Sequence, residues 1–210
     1  MINSGNKEIL EVVDRFINNK NEFHRYKSWD NCYKYFQEKY FKEEHFSDDN
    51  IAALNLSFYL ASWGMYRGST FLLKHNHTIN IEIVKILKKF YDNKKTKCIY
   101  QFETIVDIKE KIIEHYKSID ESYNATDTLI TKILLGTLCN TPAYDRYFKI
   151  GLGKHNIVKT FNKNSFDKIN SFYETNKSKF QNIEDYPRMK LLDMYFFQIG
   201  YEQNYKKGQG

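Results

Sequence analysis

The sequence predicts an all-α protein, a single compact domain of about eight to ten helices with no substantial sheet. Apolar residues recur at spacings of three and four along most of its 210 residues, which is typical of helices packed on a core. Only two prolines and nine glycines interrupt this pattern, too few for a chain of short strands and tight turns. The stretch "KCIYQFE" comes nearest to a strand pattern, and we expect no strand there.

The helical pattern divides the chain into segments that each carry an apolar face. In order these are residues 9–16, 29–40, 46–66, 79–95, 102–119, 125–139, 141–150, 164–180 and 187–203. Together they form one domain over residues 1–205, or two interleaved helical lobes, followed by a flexible tail at residues 206–210. The segment 46–66 starts near Ser47, a candidate N-cap, and is apolar nearly all round, which predicts a central buried helix. Thr126 or Asp127 is expected to cap the segment 125–139.

The helix predicted at 141–150 has recognisable signals at both ends. Thr141 followed by Pro142 has the form of an N-cap with proline at the first helical position. The helix is expected to run to about Ile150 and to end at Gly151 or Gly153, because glycine commonly follows the last helical residue.

The formal net charge of +6 favours an anionic partner, and DNA is the partner we expect. Two clusters of basic residues would contact its phosphates. They are Lys85, Lys88, Lys89, Lys94, Lys95 and Lys97 in "KILKKFYDNKKTK", and Lys154, His155 and Lys159 after the 141–150 helix, where Lys163 continues the set. The alternative for both is a solvated lysine surface that keeps the protein soluble.

The sequence lacks the motifs of several other kinds of site. Three widely spaced cysteines, Cys32, Cys98 and Cys139, indicate buried thiols in a reducing compartment. No metal-binding spacing and no cofactor motif is present, and "GLGKHN" lacks the spacing of a phosphate-binding loop. With no apolar run long enough for a signal core or a membrane span, we expect a cytoplasmic protein that does not enter membranes.

The stretch "LASWGMYRGSTFLLK" predicts either a buried helix crossing or one wall of a ligand pocket. Trp63, Tyr66 and Arg67 would share one helix face. An aromatic ring could stack on a flat ligand while Arg67 meets a phosphate, or Arg67 could pair with a carboxylate in the core.

Asp145 is the best candidate for a catalytic group. With Thr141 as the cap it would occupy the fourth helical position, where the positive end of the helix keeps a carboxylate ionised. Tyr144 precedes it, and an ionised, partly dry carboxylate can orient a water or stabilise a cationic, sugar-like transition state. The alternative is that Asp145 only tunes the helix start. Asp193, in a nearly all-apolar helix, needs a partner, for which Arg67 or Arg146 would serve, or it is a second site carboxylate.

Residues 130–153, "ITKILLGTLCNTPAYDRYFKIGLG", resemble part of the helix-hairpin-helix DNA glycosylases. The resemblance implies that Asp145 corresponds to the essential carboxylate of that family. The Gly-rich hairpin with which the family grips the DNA backbone is absent upstream of Asp145. Bifunctional members of the family carry a catalytic lysine at a position that corresponds to about Asp127 here. The resemblance therefore implies a monofunctional enzyme.

Two functions of different classes follow from these patterns. The first is a base-excision enzyme that hydrolyses the N-glycosidic bond of a flipped base, whether modified or not, with Asp145 as the catalytic group. Its substrate pocket would contain Trp63, Tyr66, Arg67, Tyr144 and Asp193. The second is a non-catalytic helical module that binds nucleic acid or protein, for instance in host defence. A toxin-type ribonuclease is disfavoured, because its Arg–His helix signature is absent.

Overall fold

A computed structural model describes residues 4–18, 23–42, 48–93, 98–180, 183 and 186–207. Within those ranges all regular structure is helical, which confirms the all-α prediction. The α-helices are, in chain order, α1 (Ser4–Asn18), α2 (Lys27–Tyr35), α3 (Asp49–Ser62), α4 (Ile81–Asn93), α5 (Phe102–Ile119), α6 (Asp127–Gly136), α7 (Arg146–Lys154), α8 (Lys163–Thr175), α9 (Lys177–Phe180) and α10 (Arg188–Lys207). Short 3-10 turns at Phe71–Lys74, His77–Asn80 and Cys98–Tyr100, and a π-helical turn at Phe36–Tyr40, connect them.

The chain divides into two compact units, and each is described by itself. Unit 1 combines residues 1–21 with residues 141–210, and unit 2 comprises residues 22–140. Unit 1 therefore contains α1 and α7 to α10, and unit 2 contains α2 to α6.

Unit 1 is built around α10, whose residues from Met189 to Gln198 are all buried. Two glycines let α7 cross it at close range, because a Cβ on Gly151 would overlap the carbonyl oxygen of Phe196 and one on Gly200 would overlap that of Tyr147. On another side α1 contacts α10, where Phe16 and Phe197 meet edge to face with ring centroids 5.7 Å apart. Helix α10 is apolar on several sides because it has neighbours on several sides.

Unit 2 is built around α3, whose inner face contributes fully buried alanine and leucine side chains. A network of polar side chains lies inside this unit and is centred on Asn80, which is itself fully buried. Its Nδ2 donates hydrogen bonds to Ser57 Oγ and Tyr66 Oη, and its Oδ1 accepts one from Tyr116 Oη. Every polar end of Asn80 is thereby satisfied, as a buried amide requires.

Several element boundaries differ from the sequence predictions. Helix α3 ends at Ser62, because Gly64 adopts a left-handed φ of +76° that glycine reaches without strain. Trp63, Tyr66 and Arg67 therefore lie in a turn, and the prediction that they share a helix face is wrong. The outer face of α3 is exposed instead of buried all round. The cap of α3 is Asp48, while Ser47 lies outside the described residues.

Other local predictions are confirmed. Thr126 caps α6, with its Oγ1 accepting a hydrogen bond from the Leu129 N–H. The stretch "KCIYQFE" contains a 3-10 turn and then the start of α5, and it contributes no strand in its described part.

Candidate anion-binding surface

Helix α7 begins four residues later than predicted, and Asp145 itself is its N-cap. The Asp145 Oδ1 accepts a hydrogen bond of 3.0 Å from the Phe148 N–H. Residues 142–145 stay non-helical because tertiary contacts hold them: the buried Ala143 N–H donates to Asp193 Oδ1 at 3.1 Å. The prediction of Thr141 as the cap is therefore wrong. Asp145 remains partly exposed at the positive end of the helix.

Tyr144 is a core residue of unit 1 and is fully buried. Its hydroxyl lies 2.9 Å from Ser165 Oγ, and because Ser165 donates its own proton to the Val158 carbonyl, Tyr144 must be the donor. The ring also contacts Phe148 and Phe161. This placement leaves Tyr144 no face on which an extruded base could stack.

Asp193 is buried beside the α7 start, and the structure corrects its expected partner. The prediction named Arg67 or Arg146, whereas the observed cation is Lys190, whose Nζ lies 3.2 Å from Asp193 Oδ2. Both side chains are almost fully buried. The Asp193 carboxylate has a structural role, because each of its oxygens already accepts a hydrogen bond, one from the Lys190 ammonium and one from a backbone N–H.

The outward face of α7 is basic. Arg146 and Lys149 stand three residues apart on one side of the helix, Lys154 lies at its last residue, about 80° round the axis from Arg146, and Lys159 follows in the next loop. Lys159 can lie against the helix because Gly153 has no Cβ; a Cβ there would stand 2.6 Å from Lys159 Cε. Within the described part of the chain none of these four cations has a carboxylate partner. We call Arg146, Lys149, Lys154 and Lys159 the basic face.

A small polar pocket of about 340 Å³ opens on the basic face. Its lining residues are Ile150, Gly153, Lys154, Lys159, Gln203 and Asn204. The Gln203 Oε1 is buried and has no hydrogen-bond partner among the described residues, an arrangement that costs about 1–3 kcal/mol in the absence of a ligand. Lys154 and Lys159 line the same pocket, so two ammonium groups can contact one anionic group there.

His155 follows Lys154 along the chain, but its surroundings keep its side chain uncharged. Its ring packs against Phe172 and Phe196, and Nε2 lies 3.3 Å from the Tyr195 hydroxyl. Burial lowers the pKa of His155, and the more distant Glu8 carboxylate opposes this only in part. At neutral pH the imidazole is therefore uncharged and adds nothing to the positive charge of the basic face.

The lysine cluster predicted on α4 is partly neutralised in the structure. Lys85 Nζ lies 4.0 Å from Asp49 and 3.9 Å from Glu82, and the Lys88 ammonium stands 5.1 Å from the ring centroid of Tyr40. Lys89 lines an open groove of about 780 Å³ between α4 and α5, which also holds acidic side chains. Lys94, Lys95 and Lys97 lie outside the described residues.

The aromatic pair predicted for a pocket wall belongs to unit 2, whereas Asp145, Tyr144 and Asp193 belong to unit 1. Trp63 stacks on Tyr26 with centroids 4.7 Å apart, and the Lys132 ammonium lies 4.5 Å from its ring centroid. Burial raises the pKa of Tyr66, whose hydroxyl accepts from Asn80. Arg67 is exposed in the turn after α3.

In comparisons with protein-family models, with curated proteins and with solved structures, nothing matches this chain. No group of three potential metal ligands comes together among the described residues. None of the described helices is both long and apolar enough to cross a membrane. The proposed function therefore rests on the geometry of the basic face.

Sequence reasoning found Lys154 and Lys159 but missed Lys149, Gln203 and Asn204. Lys149 could have been found, because it shares a face of α7 with Arg146, three residues earlier, once the helix is recognised. Gln203 and Asn204 come from α10, about fifty residues further along, and no local pattern connects them to α7.

Proposed function

We propose that this protein binds DNA by gripping backbone phosphates with the basic face of α7. The observation that supports this most is the set of four cations without carboxylate partners in the described structure, two of which, Lys154 and Lys159, line one polar pocket. Lysine and arginine side chains presented together neutralise phosphates and release counterions, so the affinity would depend steeply on salt. The contact is to the backbone, and it implies no preference for base sequence.

The experiment is a salt titration of DNA binding, followed by fluorescence anisotropy of a labelled duplex. With about three phosphates neutralised, the logarithm of the association constant should fall by about three for each tenfold rise in KCl. The variant Lys154→Glu/Lys159→Glu should bind at least about tenfold more weakly and show a slope reduced by about two.

The matched control is Lys117→Glu/Lys168→Glu, which changes the net charge equally at exposed positions on α5 and α8. It should leave both the affinity and the slope near those of the wild type. Equal losses in the two variants would mean that only net charge matters. Absence of binding by the wild-type protein at low salt would remove the proposed function.

A second candidate function is base excision, and the position of Asp145 favours it. This carboxylate is partly exposed, lies at the positive end of α7 and directly precedes Arg146 of the basic face. A carboxylate beside bound DNA could stabilise the positive charge that develops on a sugar as its base leaves. The resemblance of residues 130–153 to DNA glycosylases names the same residue.

Asp145→Asn separates the two functions, because asparagine caps helices as well as aspartate and so preserves the fold. The assay is mass spectrometry of free bases released from plain and heavily modified DNA. Base excision predicts release by the wild type, none by Asp145→Asn, and DNA binding by the variant that is equal or tighter. Release by both proteins, or by neither, would leave Asp145 as a cap only and the protein as a binding module.

A further inference from the structure

Helix α3 carries an exposed apolar stripe. Ile51 is 46% exposed, Leu54 53% and Phe58 65%, and Ala61 continues the same line. The spacing of three, four and three residues is that of the a and d positions of a coiled coil. The opposite side of the helix is fully buried in unit 2, with Ala52, Ala53, Leu56 and Leu60 at 0% exposure. Helix α3 thus has two apolar faces, of which its own unit covers one.

Exposed apolar residues that stand singly are ordinary, whereas a continuous stripe of large ones marks an interaction surface. Between Asn50 and Tyr66 the chain carries no charged side chain. A surface free of charge can pair with a copy of itself without like-charge repulsion. It also lacks the flanking charges with which helices select a different partner.

We propose that this stripe pairs with the α3 stripe of a second copy of the chain, antiparallel and around a two-fold axis midway between Leu54 and Phe58. The charges at the two ends of the stripe support that orientation. Asp48 is exposed at the start of α3, and Arg67 is exposed in the turn after its end. Antiparallel pairing brings each Asp48 toward the other copy's Arg67 and aligns the helix dipoles favourably. Parallel pairing would bring the two Asp48 carboxylates together.

The stripe is short, so the dimer is a weak one. Four residues over about three helical turns cover only a few hundred Å², below the roughly 800 Å² that each partner contributes to a stable interface. We therefore expect a dimer that forms and dissociates within the micromolar to millimolar range. The inference is independent of the proposed function, because α3 and the basic face belong to different units.

Sedimentation equilibrium of the full chain over a concentration series, up to about 1 mM, tests the association. The wild type should shift from monomer to dimer, and Leu54→Asp should raise the dissociation constant at least about tenfold. Leu73→Asp is the matched control, because Leu73 is equally exposed, at 52%, but lies outside α3. A wild type that stays monomeric throughout overturns the proposal, and so does a Leu54→Asp variant that dimerises like the wild type.

Oxidative cross-linking of cysteine variants tests the orientation, and it serves even if Leu54→Asp fails to fold. A mixture of Ile51→Cys and Ala61→Cys proteins should form the mixed disulfide dimer in preference to either homodimer. A parallel pair would give the reverse preference. The wild-type chain, oxidised under the same conditions, controls for its own cysteines, of which Cys32 and Cys139 are buried. Cross-linking no greater than this control would also refute the pairing.

Discussion

The Asp193 carboxylate of α10 accepts a hydrogen bond from the Ala143 N–H, just before α7, and pairs with Lys190 on its own helix. We expect Asp193→Ala to lower the free energy of unfolding by about 3–5 kcal/mol, because it deprives the buried Lys190 ammonium of this carboxylate and the Ala143 N–H of its acceptor. The double variant Lys190→Met/Asp193→Asn should lose less than Asp193→Ala, since both charges are gone and an amide oxygen remains for Ala143. Urea denaturation measures both. A loss below about 1 kcal/mol for Asp193→Ala would contradict this account.

The sequence could show that Asp193 needs a polar partner, because an isolated carboxylate in an apolar helix is too costly to bury. The partner could also have been identified from the sequence, since Lys190 stands three residues before Asp193 and thus on the same side of α10. The prediction named Arg67 or Arg146 instead. The cap of α7 was less accessible to sequence reasoning, because the Thr-Pro signal is overridden by contacts of residues 143 and 144 with distant segments.

His155 should make the protein less stable in mild acid. Its pKa is lowered in the folded state by burial, so below about pH 6.5 the unfolded chain takes up a proton before the folded protein does. The free energy of unfolding should therefore fall as the pH drops from 7.5 toward 5.5. His155→Gln, which is neutral throughout, should lose less stability over this interval. Urea denaturation at the two pH values tests this, and equal losses in both proteins would exclude His155 as the cause.

At the scale of elements, the crossing of α7 and α10 depends on two glycines. Gly151→Ala and Gly200→Ala should each lower the free energy of unfolding by about 1–3 kcal/mol, because the new methyl group meets backbone that cannot move aside locally. Gly153→Ala is the control within the same helix. There the methyl group meets only the end of the flexible Lys159 side chain, and alanine gains up to about 1 kcal/mol of helix propensity.

Thermal or urea unfolding of the three variants measures these differences. If Gly153→Ala is as unstable as Gly151→Ala, the cause is not the close approach of the two helices.

Gly151 and Gly153 also explain why the end of α7 was predicted too early. Glycine after an apolar run normally indicates a helix end, and Gly151 and Gly153 both have that form in the sequence. In the structure both lie inside α7, which ends at Lys154. A glycine that ends a helix and one that admits a neighbouring helix look alike until the neighbour is known. Helix identity was therefore predictable from periodicity, whereas this boundary was not.

At the scale of the whole molecule, the fold class followed from periodicity. Two helical lobes were kept as an alternative, but periodicity did not show which helices each unit contains. The apolar face of α1 predicts that it packs on something, without saying on what. Its partner α10 lies at the other end of the chain, and only the structure connects Phe16 to Phe197. The pocket on the basic face was half predictable for the same reason: α7 and the loop after it contribute the local part, and α10 contributes Gln203 and Asn204.

Phe16→Ala tests how far α1 supports unit 1. Phe16 is buried, and its loss should cost about 3–5 kcal/mol. Hydrogen exchange followed by mass spectrometry should show faster exchange in α7 and α10, the helices of the same unit. Phe23→Ala, at a position that is 87% exposed, is the matched control and should leave exchange unchanged. Unaltered exchange in α10 of Phe16→Ala would mean that α1 contributes little to the unit.

The composition of unit 1 also affects how the protein is made. During synthesis α1 leaves the ribosome before unit 2, whereas its partners in unit 1 begin only at residue 141, after all of unit 2. At about 5–20 residues per second, the apolar side of α1 waits on the order of ten seconds before α10 can cover it. During that interval we expect chaperones to bind the apolar side of α1. Slowing translation within residues 22–140 should lengthen the wait and increase aggregation of the nascent chain.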